Sequence, residues 1–238
     1  MTSHTSHTLV GKDGFQLRGT AMSRVDGFSD VVFGFALTLL VVSLEVPKTY
    51  VELHELMQGF APFAVSFTLL ITIWYAHYFF FRRFGLHDAG TIVLNAMLLF
   101  VVLFYVYPLK FLFRLFIGQI AGTEGNELQP QQGVQLMVIY GLGFAAIYLL
   151  FFALYWNGWR QRGELALTVL ERKLTKIYMA DHLAMAGIGL LSCLLAVTLP
   201  ASASGYAGFV YLLAGVSKTI LGFRAGRTQR AYSGNRTG

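Results

Sequence analysis

Six long apolar stretches, separated by short polar and charged connections, dominate the chain. They run near Gly27 to Val46, Gly59 to Phe81, Ala89 to Phe111, Val134 to Trp156, Ile177 to Leu199 and Gly205 to Phe223. Each offers about 20 mostly apolar residues, the length a helix needs to cross the bilayer hydrocarbon while bonding its backbone amides internally. The pattern predicts an all-α fold: a polytopic integral membrane protein with six transmembrane helices per subunit. The connection from Asn157 to Lys176 mixes both charge signs around Leu165, Leu167, Val169 and Leu170, which predicts a helix extended into the cytosol. The connection from Ile117 to Gly133 carries Glu124 and Glu127 without strand periodicity, so no separate soluble domain is expected there.

Composition agrees with lipid as the solvent. With 55% hydrophobic and 13% charged residues in 238, the chain is too apolar for one water-soluble core. Its 21 Phe, 12 Tyr and 3 Trp suit lipid-facing surfaces and the membrane interface. Charge adds an orientation. If both ends are cytoplasmic, only Lys48, Lys110 and Arg114 of the 18 basic residues fall on the outer side, as the positive-inside rule requires. The net charge of +6 then reflects topology and anionic inner-leaflet lipid, and no nucleic-acid partner is needed to explain it. The expected organisation is a cytosolic N-terminal tail over 1–23, a transmembrane domain over 24–223 and a basic cytosolic tail over 224–238. His4 and His7 lie in a Ser-His-Thr repeat of that first tail and receive no role.

Several chemistries are excluded. Cys193 is the single cysteine, so there is neither a disulfide framework nor a thiol pair for zinc. No His-Glu-x-x-His or Gly-x-Ser-x-Gly signature occurs, and Asp30 and Asp181 are too scattered in context to nominate an aspartyl dyad. An enzyme is not expected, nor a cofactor. Asp181 and His182 read as interfacial anchors, and Gly141, Gly143, Gly187 and Gly189 as positions of close helix packing.

The informative residues are polar ones at membrane depth, where charge is costly and faces a bundle interior or water. Most lie on the first stretch, which opens Arg24-Val25-Asp26-Gly27-Phe28-Ser29-Asp30. Arg24 and Asp30 stand about 120° apart around a helix, so Asp30 is expected to find its partner on another helix. Trp74 and His77 on the second stretch are the available groups. Two readings stand: a coupled Arg, Asp, His cluster that fixes the first helix against the second, or polar groups that anchor helix ends among headgroups.

The motif Arg24-x-x-x-Phe28-Ser29-Asp30, with Trp74-x-x-His77 on the second helix, resembles the bacterial branch of the transmembrane protein 175 family of potassium channels. Asn95 and Pro108 on the third helix fit the same pattern. The resemblance carries motifs over the first three helices and topology alone over the rest. It implies a homotetramer in a bacterial inner membrane, with four first helices around a central potassium pore and with Arg24, Phe28, Ser29 and Asp30 chiefly structural. It further implies an apolar bottleneck at Phe35, where the family carries Ile or Leu, and a threonine layer at Thr38 that holds potassium. Leu39 and Val42 continue the lining. Positions 35, 38, 39 and 42 do share one helical face, although in so apolar a helix the spacing recurs at several phases.

The expected function is therefore a potassium-selective channel with an apolar gate, its permeant ion concentrated by Asp30 at one mouth and Glu45, Glu52 or Glu55 at the other. Two alternatives accompany it: a proton-coupled transporter that uses Asp30 and His77 as a relay, and a non-conducting membrane scaffold sealed by Phe35.

Overall fold

The computed structural model describes residues 9–42, 47–58, 60–121 and 129–233. Its helices are α1 (Arg24–Val42), α2 (Tyr50–Gln58), α3 (Phe60–Phe84), α4 (Ala89–Ala121), α5 (Pro130–Arg160), α6 (Val169–Thr198) and α7 (Leu212–Ser233), with a 3-10 helix over Ala201–Tyr211 between the last two. Among the described residues the only β pairing is an isolated antiparallel bridge between Val10 and Gln16. His4, His7, Glu45, Glu124 and Glu127 lie outside the described residues.

Five spans, Phe60–Phe84, Ala89–Phe113, Pro130–Arg160, Val169–Thr198 and Ala201–Tyr232, are long and apolar enough to cross a membrane. The first expected span appears as α1, 19 residues long, whose description stops at Val42 instead of reaching Val46. Two features depart from the apolar pattern. The nine-residue α2 fills part of the first connection, where the mixed composition of Tyr50–Gln58 hid its periodicity. The last span begins as a 3-10 helix, because the run Ala201, Ser202, Ala203, Ser204 and Gly205 lacks the bulk that opposes a tighter winding. The Ser192 hydroxyl ties that segment to α6 by donating to the Ala207 carbonyl at 3.0 Å.

Local signals set the helix ends. Ser23 and Asp26 exchange side-chain and backbone hydrogen bonds of 3.1 Å at the start of α1. Thr168 and Glu171 form a capping box at the start of α6, and Pro130 opens α5 at a position where its missing N–H costs nothing. Gly85 ends α3 with φ of +59°, a left-handed conformation that disfavours any residue with a Cβ.

The helices pack most closely at the α5–α6 seam. A Cβ added to Gly141 would stand 2.7 Å from the Gly189 carbonyl, and one added to Gly189 would stand 2.8 Å from the Gly141 carbonyl. Both glycines thus let the two backbones touch, which is how helices gain dispersion energy in a solvent as apolar as their own side chains. Gly143 does the same against the Tyr105 ring, whereas Gly187 faces open space.

At the end of the bundle where α3 stops and α6 starts, residues 9–19 fold back instead of trailing away. Phe15 is fully buried and meets Phe84 edge-on at 5.5 Å. Asp13 accepts from Arg83 at 2.7 Å, and Arg18 donates to both carboxylate oxygens of Glu171 at 2.9 and 3.0 Å. Arg83 is itself enclosed by the Tyr155 and Tyr178 hydroxyls, with its guanidinium 4.2 Å from the centre of the Tyr178 ring. This strap was not expected. Its signal is one apolar residue, Phe15, flanked by charges that find opposite partners only after the chain folds.

A second polar centre joins α4 to α5. The Asp88 carboxylate accepts from the Thr91 amide and hydroxyl, from Asn157 and from Gln161. Burial opposes its ionisation, but these hydrogen bonds prevail and hold its pKa at about 2, below the ordinary 3.8. A depressed carboxylate pKa contributes stability that is complete above the unfolded value and is lost as pH falls through the folded one. Asp88→Asn should therefore lower the thermal unfolding temperature at pH 7, with the gap to the parent narrowing below about pH 4. Melting curves of both proteins in detergent between pH 7 and pH 2 test this; a constant gap would show that charge plays no part.

Candidate functional site

α1 has two faces. Ser29, Phe33, Ala36 and Leu40 are buried against the rest of the subunit, each 2% exposed or less. The opposite stripe carries Arg24, Phe28, Val31, Phe35 and Thr38, all exposed, with Phe28 at 62%, Val31 at 70% and Phe35 at 57%. Leu39 stands on the flank, half-buried and packed against the core. Val42 closes the helix, and its side chain lies outside the described residues.

Buried polar groups fix which face looks outward. The Ser29 hydroxyl donates to the Val25 carbonyl at 2.8 Å and accepts from Asn95 Nδ2 of α4 at 2.9 Å. The Asn95 carbonyl oxygen lies 2.8 Å from His77 Nε2 of α3, so with its amide committed to Ser29 it accepts the histidine proton. All three side chains are 3% exposed or less. The His77 ring also lies 5.4 Å from that of Phe33 and 4.6 Å from that of Phe81. One turn along α3, Trp74 Nε1 donates to Asp30 at 2.8 Å. Three helices are thereby locked in rotation as well as position, since a turn of α1 would bury Asp30 and strand Ser29.

The structure brings together Ser29, His77 and Asn95, and separately Asp30 and Trp74. Asp30 and His77 share no hydrogen bond, since each takes a different partner. Of the expected partners, the indole and not the imidazole takes the carboxylate, and Arg24 stands exposed at the start of α1 outside both sets. Pro108 falls inside α4, as the motif pattern implied. Among the described residues no group of three His, Cys, Asp or Glu side chains is placed to hold a metal ion. Sequence reasoning missed Asp88, Asn157 and Gln161 and the strap ligands Asp13, Arg18 and Glu171. The spacings Asp88-x-x-Thr91 and Thr168-x-x-Glu171 are readable helix-start signals, but their long-range partners are not.

Helices of membrane length packed around buried polar side chains define a multi-pass helical membrane protein. Comparison with known proteins gives the family. The family model described as "Endosomal/lysosomal potassium channel TMEM175" matches residues 24–105, a segment that contains the whole Ser29, Asp30, Trp74, His77 and Asn95 set. A protein of Marivirga tractuosa named "Potassium channel" is 40% identical over 220 residues, covering 87% of this chain and 89% of the relative. A crystal structure of the potassium channel MtTMEM175, T38A variant, in complex with a nanobody–MBP fusion superposes with a TM-score of 0.80 at 37% identity, covering 92% of this chain and all of that one. A lysosomal potassium-selective channel TMEM175 homologue from Chamaesiphon minutus shares the fold at a TM-score of 0.53 and 24% identity, over 86% of this chain and 96% of its own. The chain belongs to the TMEM175 family.

Proposed function

We propose that this chain is the subunit of a potassium-selective channel in which four copies set their α1 helices around a central pore. The observation that carries the reading is the two-faced α1, whose exposed stripe is held outward by hydrogen bonds at its back. The subunit interior is filled by side chains such as Phe33, Phe80, Phe84 and Phe151, each 2% exposed or less, so the path for an ion runs between subunits. The family relatives are named potassium channels, which supplies the ion.

Along the stripe, Phe35 forms the apolar constriction, flanked by Leu39 and extended by Val42 through helical register. Thr38 follows one turn on. Its hydroxyl donates to the Phe35 carbonyl at 2.7 Å, which leaves the oxygen lone pairs free to replace water around potassium. Ser29, Asp30, Trp74, His77 and Asn95 hold the helix and do not select the ion, while Arg24 and Phe28 stand on its exposed stripe. The membrane is a bacterial plasma membrane with both termini cytoplasmic, supported by the distribution of basic residues.

Purified protein reconstituted in liposomes with a potassium gradient should carry passive current that reverses at the potassium potential. Thr38→Val should still conduct but lose about tenfold of its potassium over sodium preference, equivalent to about 1.4 kcal/mol. An unchanged preference would remove the threonine layer, and silence from folded wild-type protein would overturn the channel.

A further inference from the structure

An apolar groove of about 380 Å³ runs between α6 and α7. Ala180, Ala184 and Ile188 form one wall and Val216, Ile220 and Leu221 the other. Ala180 and Ala184 keep the α6 wall low, and the Asp181–Lys218 ion pair pins the two helices together beside it.

Past one end of this groove stand four exposed cations. Asp181 meets Lys218, and Lys173 Nζ lies 5.1 Å from the centre of the Tyr232 ring, so residue numbers rise on α6 as they fall on α7. The helices are antiparallel, and Lys176 comes level with Arg224. These two lie one helical turn past Ala180 and Ile220, the last groove residues on that side. Lys173 and Arg227 stand a further turn out, and all four side chains are exposed. Lys176 also covers Trp159, with Nζ 4.9 Å from the ring centre, and Trp at such a level marks a membrane–water interface. The nearest carboxylates do not offset this charge, since Asp181 is paired with Lys218 and Glu171 with Arg18.

We propose that this groove binds an anionic phospholipid, with one acyl chain laid along Ala180, Ala184 and Ile220 and the phosphate held by Lys173, Lys176, Arg224 and Arg227. An apolar channel at membrane depth that opens onto four cations matches the two halves of such a lipid and no soluble anion. The reading needs only that the chain sits in a membrane, so it stands or falls apart from the position of the pore.

The test uses full-length protein in uncharged detergent, titrated with phosphatidylglycerol or phosphatidylcholine of identical acyl chains and read by native mass spectrometry. One phosphatidylglycerol per chain should bind tightly and phosphatidylcholine should not. Arg224→Gln with Arg227→Gln should weaken the phosphatidylglycerol roughly 30-fold, the effect of two surface cations. Ala184→Trp should abolish the tight site by filling the groove. The arginine pair is exposed, so its variant reports even if the tryptophan disturbs folding. Equal retention of both lipids, displacement by inorganic phosphate alone, or undiminished binding by the arginine variant would overturn the site. A changed subunit number in Ala184→Trp would assign the groove to contact between copies and overturn it as well.

Discussion

Phe35→Ala should raise passive potassium flux through the reconstituted channel by about tenfold or more, the change that follows from removing about 1.4 kcal/mol of barrier. Phe35 projects from the unburied face of α1, 57% exposed in the isolated subunit, with its own subunit packed behind it at Phe33 and Ala36. In the proposed tetramer four phenyl rings around one axis would exclude water from the narrowest level, and a dry apolar constriction bars a hydrated ion until it widens. Alanine removes the rings without disturbing the buried face of the helix. Thr38, three residues on, keeps its hydrogen bond to the backbone carbonyl at position 35, which any residue there supplies. Conductance should therefore rise while potassium preference changes little, whereas Thr38→Val should do the reverse. Planar-bilayer recordings of the two variants separate constriction from selection. Unchanged flux in Phe35→Ala would place the narrow point elsewhere along the stripe.

The parts of this architecture legible in sequence are those that periodicity and length control. Long apolar runs placed the spans Phe60–Phe84 and Ala89–Phe113 within about three residues at both ends, and the mixed-charge connection from Asn157 to Lys176 does extend a helix, since α6 begins at Val169. The polar residues on the first two spans were also visible as anomalies, because Ser29, Asp30, Trp74 and His77 cost free energy at membrane depth unless they are paired. Which group pairs with which was not visible. His77 could be assigned to Asp30 on charge alone, and only the packing of α4 shows that Asn95 intervenes, with both its donor and its acceptor used. The face of α1 was ambiguous for the same reason. A helix apolar on every side has no preferred phase, and the phase is set by Ser29 and Asp30 through partners 44 and 66 residues away. The strap is the extreme case: Asp13, Phe15 and Arg18 read as a polar tail, and their burial depends on Arg83, Phe84 and Glu171.

Asn95→Leu should destabilise the subunit by about 2–3 kcal/mol, because it removes one side chain and strands two others. Leucine has similar bulk, so the loss is not a cavity. His77 Nε2 loses its acceptor among the rings of Phe33 and Phe81, and Ser29 keeps only its bond to the Val25 carbonyl. Interhelical hydrogen bonds in membranes are often worth only about 0.6 kcal/mol, since the separated helices find other partners. Here the larger cost of stranded buried groups applies, because all three are 3% exposed or less and are surrounded by apolar side chains. The decisive measurement is a double-mutant cycle in detergent. His77→Phe alone leaves the Asn95 oxygen unpaired, so it too should be costly. Combined with Asn95→Leu it replaces both partners by apolar groups, and the pair should cost less than the sum of the singles by about 1–2 kcal/mol. Strict additivity would show that the two residues act independently and that the brace is not a network. Flux adds a second readout: with only the Trp74–Asp30 bond left to set the rotation of α1, the double variant should fold yet lose part of the potassium preference that the proposed pore assigns to Thr38.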